Sequence, residues 1–481
     1  MQISIKLVSA ISGFNWGYSL SNLPVQIIEQ YIQNTNKQEI TAVILSTLEV
    51  AICVGSAFGC MATPLYVNKL GLTNSLRVLF LIFTFINIIT MIPVHWIYLV
   101  IVRFISGIMT SSISSLSPLL VAEILAPHDR EQTIMMFTIC LNIGVLVAYL
   151  MHLFVSFDYN FWFMSFALPI IYSIVALYFL QTVNKVQKQQ RAQHLSNHSD
   201  DLITVQAAQI DNDMMPESSI QFITSGAEET SNTFQKRVET APESSFNQKL
   251  TRSQFIRIVY VTVSLGMMQM FSGVDAIIVY ASEIFGSLFS SSRAGIYGSL
   301  ILGTFNVFYS YVAAPFAEQQ PRRRMLMIGV LGVSFFHFLN AFLYKIHAPT
   351  IYVLISLLLL FLFYILGPEP IVFMFFSEMF PQKYKIQLNG LGYTVNWISS
   401  IVSVFIFDFF VGGREQYVYV IFGTLTFTLG VSGTLLAPET FHKSLAEIEL
   451  QIRSWTKKQR RIKEKKNVKV NMNDFKVEGK A

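Results

Sequence analysis

A few side chains with chemistry to offer are set into long apolar runs. Asn15 stands in "GFNWGYSLSNLP", a stretch without any acid. A neutral amide in such a place either bonds a neighbouring helix or offers hydrogen bonds to a polar solute. Asp275 and Glu369 are acids in equally apolar surroundings. Ionisable groups inside a membrane span are costly and tend to be functional. Asp275 has two open readings, binding hydroxyl groups and taking up a proton. Glu369 lies between Pro368 and Pro370, where a helix must break and release backbone carbonyls. It either caps that broken backbone, pairs with a base, or serves function directly. A second kind of chemistry is electrostatic. "AEILAPHDR" and "SEMFPQKYK" each place a Glu, an apolar pair and a Pro ahead of a base. An acid at a helix end facing a base in the next connection can latch helices together, and a set of such pairs can bias a two-state equilibrium. Hydrolytic chemistry has no support: His-Glu-x-x-His, Gly-x-Ser-x-Gly and paired catalytic Asp motifs are missing. An enzyme is not expected, nor is a metal or a cofactor.

The elements that hold these residues are membrane helices. Of 481 residues 53% are hydrophobic and only 13% charged, where soluble domains carry roughly 25% charged residues. A helix needs about 20 apolar residues to cross a bilayer. Runs of that kind fall near 5–24, 41–65, 76–96, 98–121, 132–153, 160–181, 255–285, 293–317, 325–345, 349–379, 386–411 and 416–436. The fold class expected is an all-α integral membrane protein, with twelve transmembrane helices in two pseudo-symmetric six-helix halves. The first run has no small-residue cleavage site, so it reads as a retained helix. Cys53, Cys60 and Cys140 all fall in apolar runs and are expected as reduced thiols.

Four segments follow: a six-helix bundle over 1–183, a polar and largely disordered cytoplasmic linker over 184–252, a second bundle over 253–442, and a basic cytoplasmic tail over 443–481. With the N-terminus inside, inner connections hold Lys69, Arg77, Arg130, Arg322, Arg323, Arg324, Lys383 and Lys385, against Lys37, Arg293, Lys345 and Arg414 outside. That excess places both termini in the cytoplasm. The N-x-S sequon at Asn197 is then cytoplasmic and is not expected to carry a glycan. Net charge is +5, and "KKQRRIKEKK" at 457–466 holds much of the positive charge. It reads either as a contact with anionic lipid or as a solvated, topology-enforcing tail, not as a nucleic-acid patch. Two sets of six spans around a central loop suggest a site between related halves near the bilayer midplane, the plan of secondary transporters.

The same residues carry a family resemblance. "PVQIIEQY", "VNKLGLTNS", "RFISG", "AEILAPHDR", "QMFSGVDAIIVYASEIF", "GPEPIVFMFFSEMFP", "VNW" and "PETFHKSLAEIE" follow one another in order. Together they resemble the sugar porter family of the major facilitator superfamily, and look closest to the facilitative glucose transporters. The likeness runs over about 1–183 and 253–449. It implies the major facilitator fold, alternating access and a sugar substrate, with the plasma membrane as location and a monomer as working unit. It also implies that Gln269 and Asp275 in span 7, Asn306 in span 8, Phe373 in span 10 and Asn396 in span 11 contact the sugar. Trp397 reads as a packing residue.

The chain departs from the glucose pattern at several places. Met270 stands for a Gln, Asp275 for an Asn, Thr138 for the span 5 Gln, Phe373 for a Trp, Glu369 for a Gly and Ile365 for a Glu. The sugar class is therefore better supported than any one sugar. The resemblance further implies an inner gate of Glu123 and Arg130 in the first half, and of Glu318, Arg322, Arg323, Glu378 and Lys385 in the second. Leu72 and Thr73 replace a pair of arginines and "LQTVNKV" replaces an acidic, Pro-rich block, so a gate weaker than in the family is expected. In proton-coupled members the span 1 motif carries an Asp that pairs with a span 4 Arg. Here the Arg is Arg103 and the span 1 residue is read as Asn15, an amide that cannot lose a proton near neutral pH. The expected function is facilitated diffusion of a hexose or similar sugar. Proton-linked symport through Asp275, and a non-transporting sugar sensor with the same fold, are the alternatives.

Overall fold

The computed structural model describes residues 2–22, 42–92, 95–155, 158, 161–187, 250–279, 292–410 and 414–455. Within them the chain forms twelve helical spans and no strand. Spans 1 to 6 are Gln2–Ser21, Ala42–Leu70, Leu72–Thr90, Trp96–Ile124, Pro127–Val155 and Met164–Gln187. Span 7 is Arg252–Phe271 followed by Val274–Val279, span 8 is Ser292–Gln319 and span 9 is Arg322–Lys345. Span 10 is Thr350–Leu366 followed by Pro368–Glu378, span 11 is Lys385–Phe410 and span 12 is Glu415–Leu436. A last helix covers 445–455.

Eleven of the twelve spans are long and apolar enough to cross a membrane on their own account. Span 1 is the exception. Its turns are rich in Ser and Gly, with Ser4, Ser9, Ser12, Asn15 and Ser19 all buried. It is held by protein more than by lipid. Gly13 and Gly17 lie one turn apart on the face that meets span 5, where an added Cβ would overlap the backbone carbonyls of Phe137 and Leu141. Small residues at that spacing let two helices approach backbone to backbone, the usual source of association between membrane helices. On the outer face of the bundle Phe58, Phe85, Phe308, Tyr311, Phe335 and Phe409 are exposed, as a lipid-facing surface requires.

The packing pattern is two-fold. Span 1 packs on span 5 and span 7 on span 11; span 2 packs on span 4 and span 8 on span 10. The halves meet where span 2 faces span 11 and where span 5 faces span 8. Adding six to one member of each pair and subtracting six from the other turns the first interface into the second. Two six-helix halves thus surround a central space.

Two helices in the second half are broken beside that space. Span 7 stops at Phe271, and Gly273 adopts φ +70°. Only glycine takes that conformation without strain, and a Cβ there would also strike the Phe422 ring. The carbonyls released by the break are matched from neighbours. Thr426 donates to the Phe271 carbonyl at 3.0 Å, and the His337 ring meets the Ser272 carbonyl at 2.6 Å. Inside a bilayer such matching is obligatory, because no water is there to do it. Span 10 breaks at Gly367, and Pro368 opens its second piece in the first helical turn, where a missing N–H does no harm. The break expected at Pro368 and Pro370 is therefore present, and span 7 breaks as well, at Gly273.

Several expectations fall outside the described residues. They include most of the proposed linker (188–249), the sequon at Asn197, the stretch after span 1 (23–41) and the basic run at 457–466. Span 6 remains helical to Gln187, four residues past the end set for the first bundle. Span 7 begins with a capping box, Thr251 and Gln254 exchanging side-chain and backbone bonds. Cys53 and Cys60 are buried and Cys140 half-buried, all as free thiols.

Candidate functional site

The broken parts of spans 7 and 10 line one cleft with spans 1, 5 and 8. Gln269 and Asp275 flank the span 7 break. Ile365 sits just before the span 10 break, with Glu369 and Phe373 just after it. Asn306 reaches in from span 8, Trp16 from span 1 and Asn142 from span 5. Four of the five expected sugar-contact residues, Gln269, Asp275, Asn306 and Phe373, are thus brought together.

The fifth, Asn396, stands behind the wall. Its Nδ2 donates to Gln269 Oε1 at 2.9 Å and to the Gly266 carbonyl at 3.2 Å. It holds the Gln269 amide with its Nε2 aimed at the Glu369 carbonyl, 3.4 Å away. Asn396 is therefore a positioning residue that links span 11 to the break in span 10.

Span 5 corrects the sequence reading. The Thr138 hydroxyl is spent on the Ile134 and Met135 carbonyls of its own helix, and Thr138 does not line the cleft. Asn142, one turn further on, does. Its Nδ2 lies 3.0 Å from Glu369 Oε1 and 2.9 Å from the Ser310 hydroxyl. This one amide ties span 5 to spans 8 and 10 across the two halves. The signal was available: residues four apart share a helix face, and Asn142 is a lone amide in an apolar run. Of the three readings of Glu369, neither capping nor pairing with a base describes it. Its Oε1 accepts from an amide, and its Oε2 is buried without a partner.

Aromatic rings form one side of the cleft. Trp16 lies 5.0 Å from Phe373 and 5.4 Å from Trp397, centroid to centroid, and Phe373 stacks on Tyr393 at 6.1 Å. Phe373 presents a ring to the cleft, whereas Trp397 is packed behind Trp16, as expected of it. Such a wall suits the weakly apolar face of a sugar ring.

At one end of the bundle the charged residues close over the cleft, with different partners from those expected. Sequence reading kept Glu123 and Arg130 within the first half and Glu378 and Lys385 within the second. In the structure the partners cross. Glu123 pairs with Lys385 at 3.6 Å, and Arg130 with Glu378 at 3.7 Å. Arg322 binds Glu131 at 3.0 Å and Glu378 at 3.5 Å. Glu131, which sequence reasoning missed although it adjoins Arg130, also accepts from the His442 backbone N–H at 3.2 Å. Arg323 does not join the ion pairs. It donates to the carbonyls of Thr434 and Leu435 at 3.0 and 2.9 Å. Glu318 makes no ion pair among the described residues. The latch therefore joins the halves to each other. Its central members are almost wholly buried, with Arg322 at 0% and Glu378 at 2% side-chain exposure.

The span 1 and span 4 pair is also reassigned. Asn15 Oδ1 accepts from the Tyr172 hydroxyl at 2.9 Å and from Ser19 at 3.3 Å. Arg103 instead donates from Nη1 to Asn22 Oδ1 at 3.1 Å, and from Nε to the Leu48 carbonyl at 3.1 Å. Asn22 lies seven residues beyond Asn15, on the same face and about 10 Å further along at the helical rise of ~1.5 Å per residue. The face was right and the depth was wrong. Asn15 fastens span 1 to span 6, and the amide that meets the arginine is Asn22.

Known proteins share this fold. Residues 2–451 match the family described as "Sugar (and other) transporter". The chain is 22% identical to the glucose transporter GlcP of Staphylococcus epidermidis, over 94% of this chain and 97% of that one. It is 24% identical to the glucose facilitated diffusion protein of Zymomonas mobilis, over 73% and 74%. Its fold superposes on the major facilitator proton:xylose symporter bound to 6-bromo-6-deoxy-D-glucose with a TM-score of 0.73 at 19% identity, covering 94% of this chain and 98% of that one. These relatives are transporters and not enzymes. With twelve spans in two halves, a cleft between them and a family match over nearly its whole length, the chain belongs to the family of sugar (and other) transporters, has the major facilitator fold and is a multi-pass membrane protein.

Proposed function

We propose that the protein carries a hexose or similar sugar down its gradient by alternating access, as a uniporter. The observation that supports uniport is the amide at Asn22 facing Arg103. An amide does not change protonation state near neutral pH, so Asn22 itself cannot couple a proton to sugar movement. A sugar substrate is favoured by a wall that sets amides at Asn142, Gln269 and Asn306 against rings at Trp16 and Phe373. In a dry cleft each unmatched hydroxyl is costly, so amide placement selects among sugars. Gln269, Asp275, Asn306 and Phe373 make the direct contacts, and Asn396 orients Gln269.

The ion-pair end is the cytoplasmic gate, closed in this structure, as the count of Lys and Arg in short connections favours. The halves rock about the cleft as that latch breaks and reforms. The remainder of the reading is a monomer in the plasma membrane with both termini cytoplasmic. It comprises bundles over 1–183 and 253–442, a linker over 184–252, and a tail over 443–481 that touches anionic lipid. Proton-linked symport is favoured by one observation, the Asp275 carboxyl on the cleft wall. Counterflow of a labelled hexose panel in proteoliposomes tests the proposal. Exchange of at least one hexose is expected, and binding without any flux would sink the carrier in favour of a sensor.

A further inference from the structure

The cleft has an unbalanced inventory of charge. Asp275 and Glu369 both line it, and no Lys, Arg or His among the described residues does. The bases of the latch are matched elsewhere, Arg130 and Arg322 by Glu131 and Glu378, and Lys385 by Glu123. The inventory of hydrogen bonds is unbalanced in the same sense. Glu369 is 4% exposed, and its Oε1 takes the Asn142 amide while Oε2 has no donor. Asn306, 1% exposed on the same wall, also has an unmatched Oδ1. Asp275 makes no hydrogen bond or ion pair among the described residues. Two nearby amides are already engaged, Asn142 on Glu369 and Ser310, and Gln269 on the Glu369 carbonyl. What this wall lacks among the described residues is therefore positive charge and a donor on Glu369 Oε2. A buried acceptor left unmatched costs free energy that a ligand's donor recovers.

We propose that the cleft is selective for an amine-bearing sugar, whose ammonium sits between Asp275 and Glu369 while its ring lies against Trp16 and Phe373. An ammonium supplies three donors and one positive charge, which meets both deficits at once. Hydrogen bonds between ionised partners are the stronger kind. The aromatic faces at Trp16 and Phe373 add attraction for a nearby cation. A neutral hexose fits the same rings and amides but brings no positive charge to either carboxyl. The proposal rests on the sugar-carrier reading above and narrows its substrate class.

The test uses the full-length protein in liposomes without a pH gradient. Unlabelled glucose, glucosamine and N-acetylglucosamine compete against labelled glucose counterflow. The same three sugars are titrated in detergent by tryptophan fluorescence, since Trp16 lines the cleft. Glucosamine is expected to compete at least about tenfold better than glucose, a difference of about 1.4 kcal/mol, and N-acetylglucosamine to lose that advantage. The ratio of glucosamine to glucose affinity falls about tenfold in Glu369→Gln and is kept in Glu369→Asp. The acetylated sugar tests the charge on the ligand side, so the proposal stays testable if a variant misfolds. Glucose exchange with no preference for the amine, or a preference unchanged in Glu369→Gln, overturns the proposal and leaves the carrier reading standing. Failure of every sugar to exchange or bind in a monodisperse preparation overturns both.

Discussion

Replacing Glu378 by Gln tests how the gate is held shut. The Glu378 side chain is 2% exposed, with its Oε1 3.7 Å from Arg130 Nη1 and 3.5 Å from Arg322 Nη2. Arg322 keeps Glu131 at 3.0 Å when the charge on Glu378 is removed. Arg130 loses its ion partner and keeps only a long bond to the Leu125 carbonyl, at 3.4 Å. Breaking a buried pair costs about 3–5 kcal/mol, because a charge is left uncompensated. Opening lets Arg130 reach water, so the low end applies, and about 3 kcal/mol shifts the closed-to-open ratio by roughly 150-fold. Glu123 offers a partial contrast: it is 34% exposed, although its partner Lys385 is 1% exposed. Glu123→Gln strands Lys385, but beside solvent that already reaches Glu123, so its cost is expected below that of Glu378→Gln, about 1–2 kcal/mol, or roughly five- to thirtyfold. Spin labels at Lys69 and Arg324, which are exposed beside the 2–3 and 8–9 connections, would report the separation of the halves by pulsed electron resonance. The Glu378→Gln distribution should move to the longer distance more than that of Glu123→Gln. Equal shifts, or none, would refute the assignment of a buried latch.

Other outcomes follow from particular contacts. Because Glu123 and Lys385 pair across the halves, the double reversal Glu123→Lys with Lys385→Glu should recover much of the closed population that either single change loses; within-half pairing predicts no such rescue. Asn142→Ala removes the donor to Glu369 and Ser310 and should lower sugar uptake at least about tenfold, whereas Thr138→Ala, whose hydroxyl bonds only its own helix, should cost about twofold or less. Gly17→Val forces a side chain into the Leu141 carbonyl and should destabilise the first half by about 1–3 kcal/mol, seen as a lower melting temperature in detergent. Asn22→Asp places a titratable carboxyl beside Arg103 and should make uptake depend on pH where the native protein's does not.

How much of this was legible beforehand depended on whether one helix or two were involved. The twelve spans were readable because burial in lipid needs long apolar runs. Observed helices such as Ala42–Leu70 and Arg322–Lys345 lie within a few residues of the runs that announced them. The break in span 10 was readable because prolines have a local effect. Depth along a helix was harder. Asn15 and Asn22 share a face, and Thr138 and Asn142 share another, so periodicity cannot say which one meets Arg103 or Glu369. Pairing between halves was harder still. Glu123 and Arg130 look like a local pair in sequence, and only the approach of span 11 and the end of span 10 gives each a partner from the other side. Asn396 was read as a sugar contact, yet it lies behind the cleft wall and bonds Gln269, a placement that depends on a packing angle that spacing does not encode.

The central claim is that sugar moves without a proton. Steady-state distribution of labelled glucose in proteoliposomes, with an imposed pH gradient and with none, tests it most directly. The account predicts that glucose equilibrates to equal concentrations on both sides in each case. Accumulation that follows the pH gradient and disappears in Asp275→Asn would contradict it and establish symport.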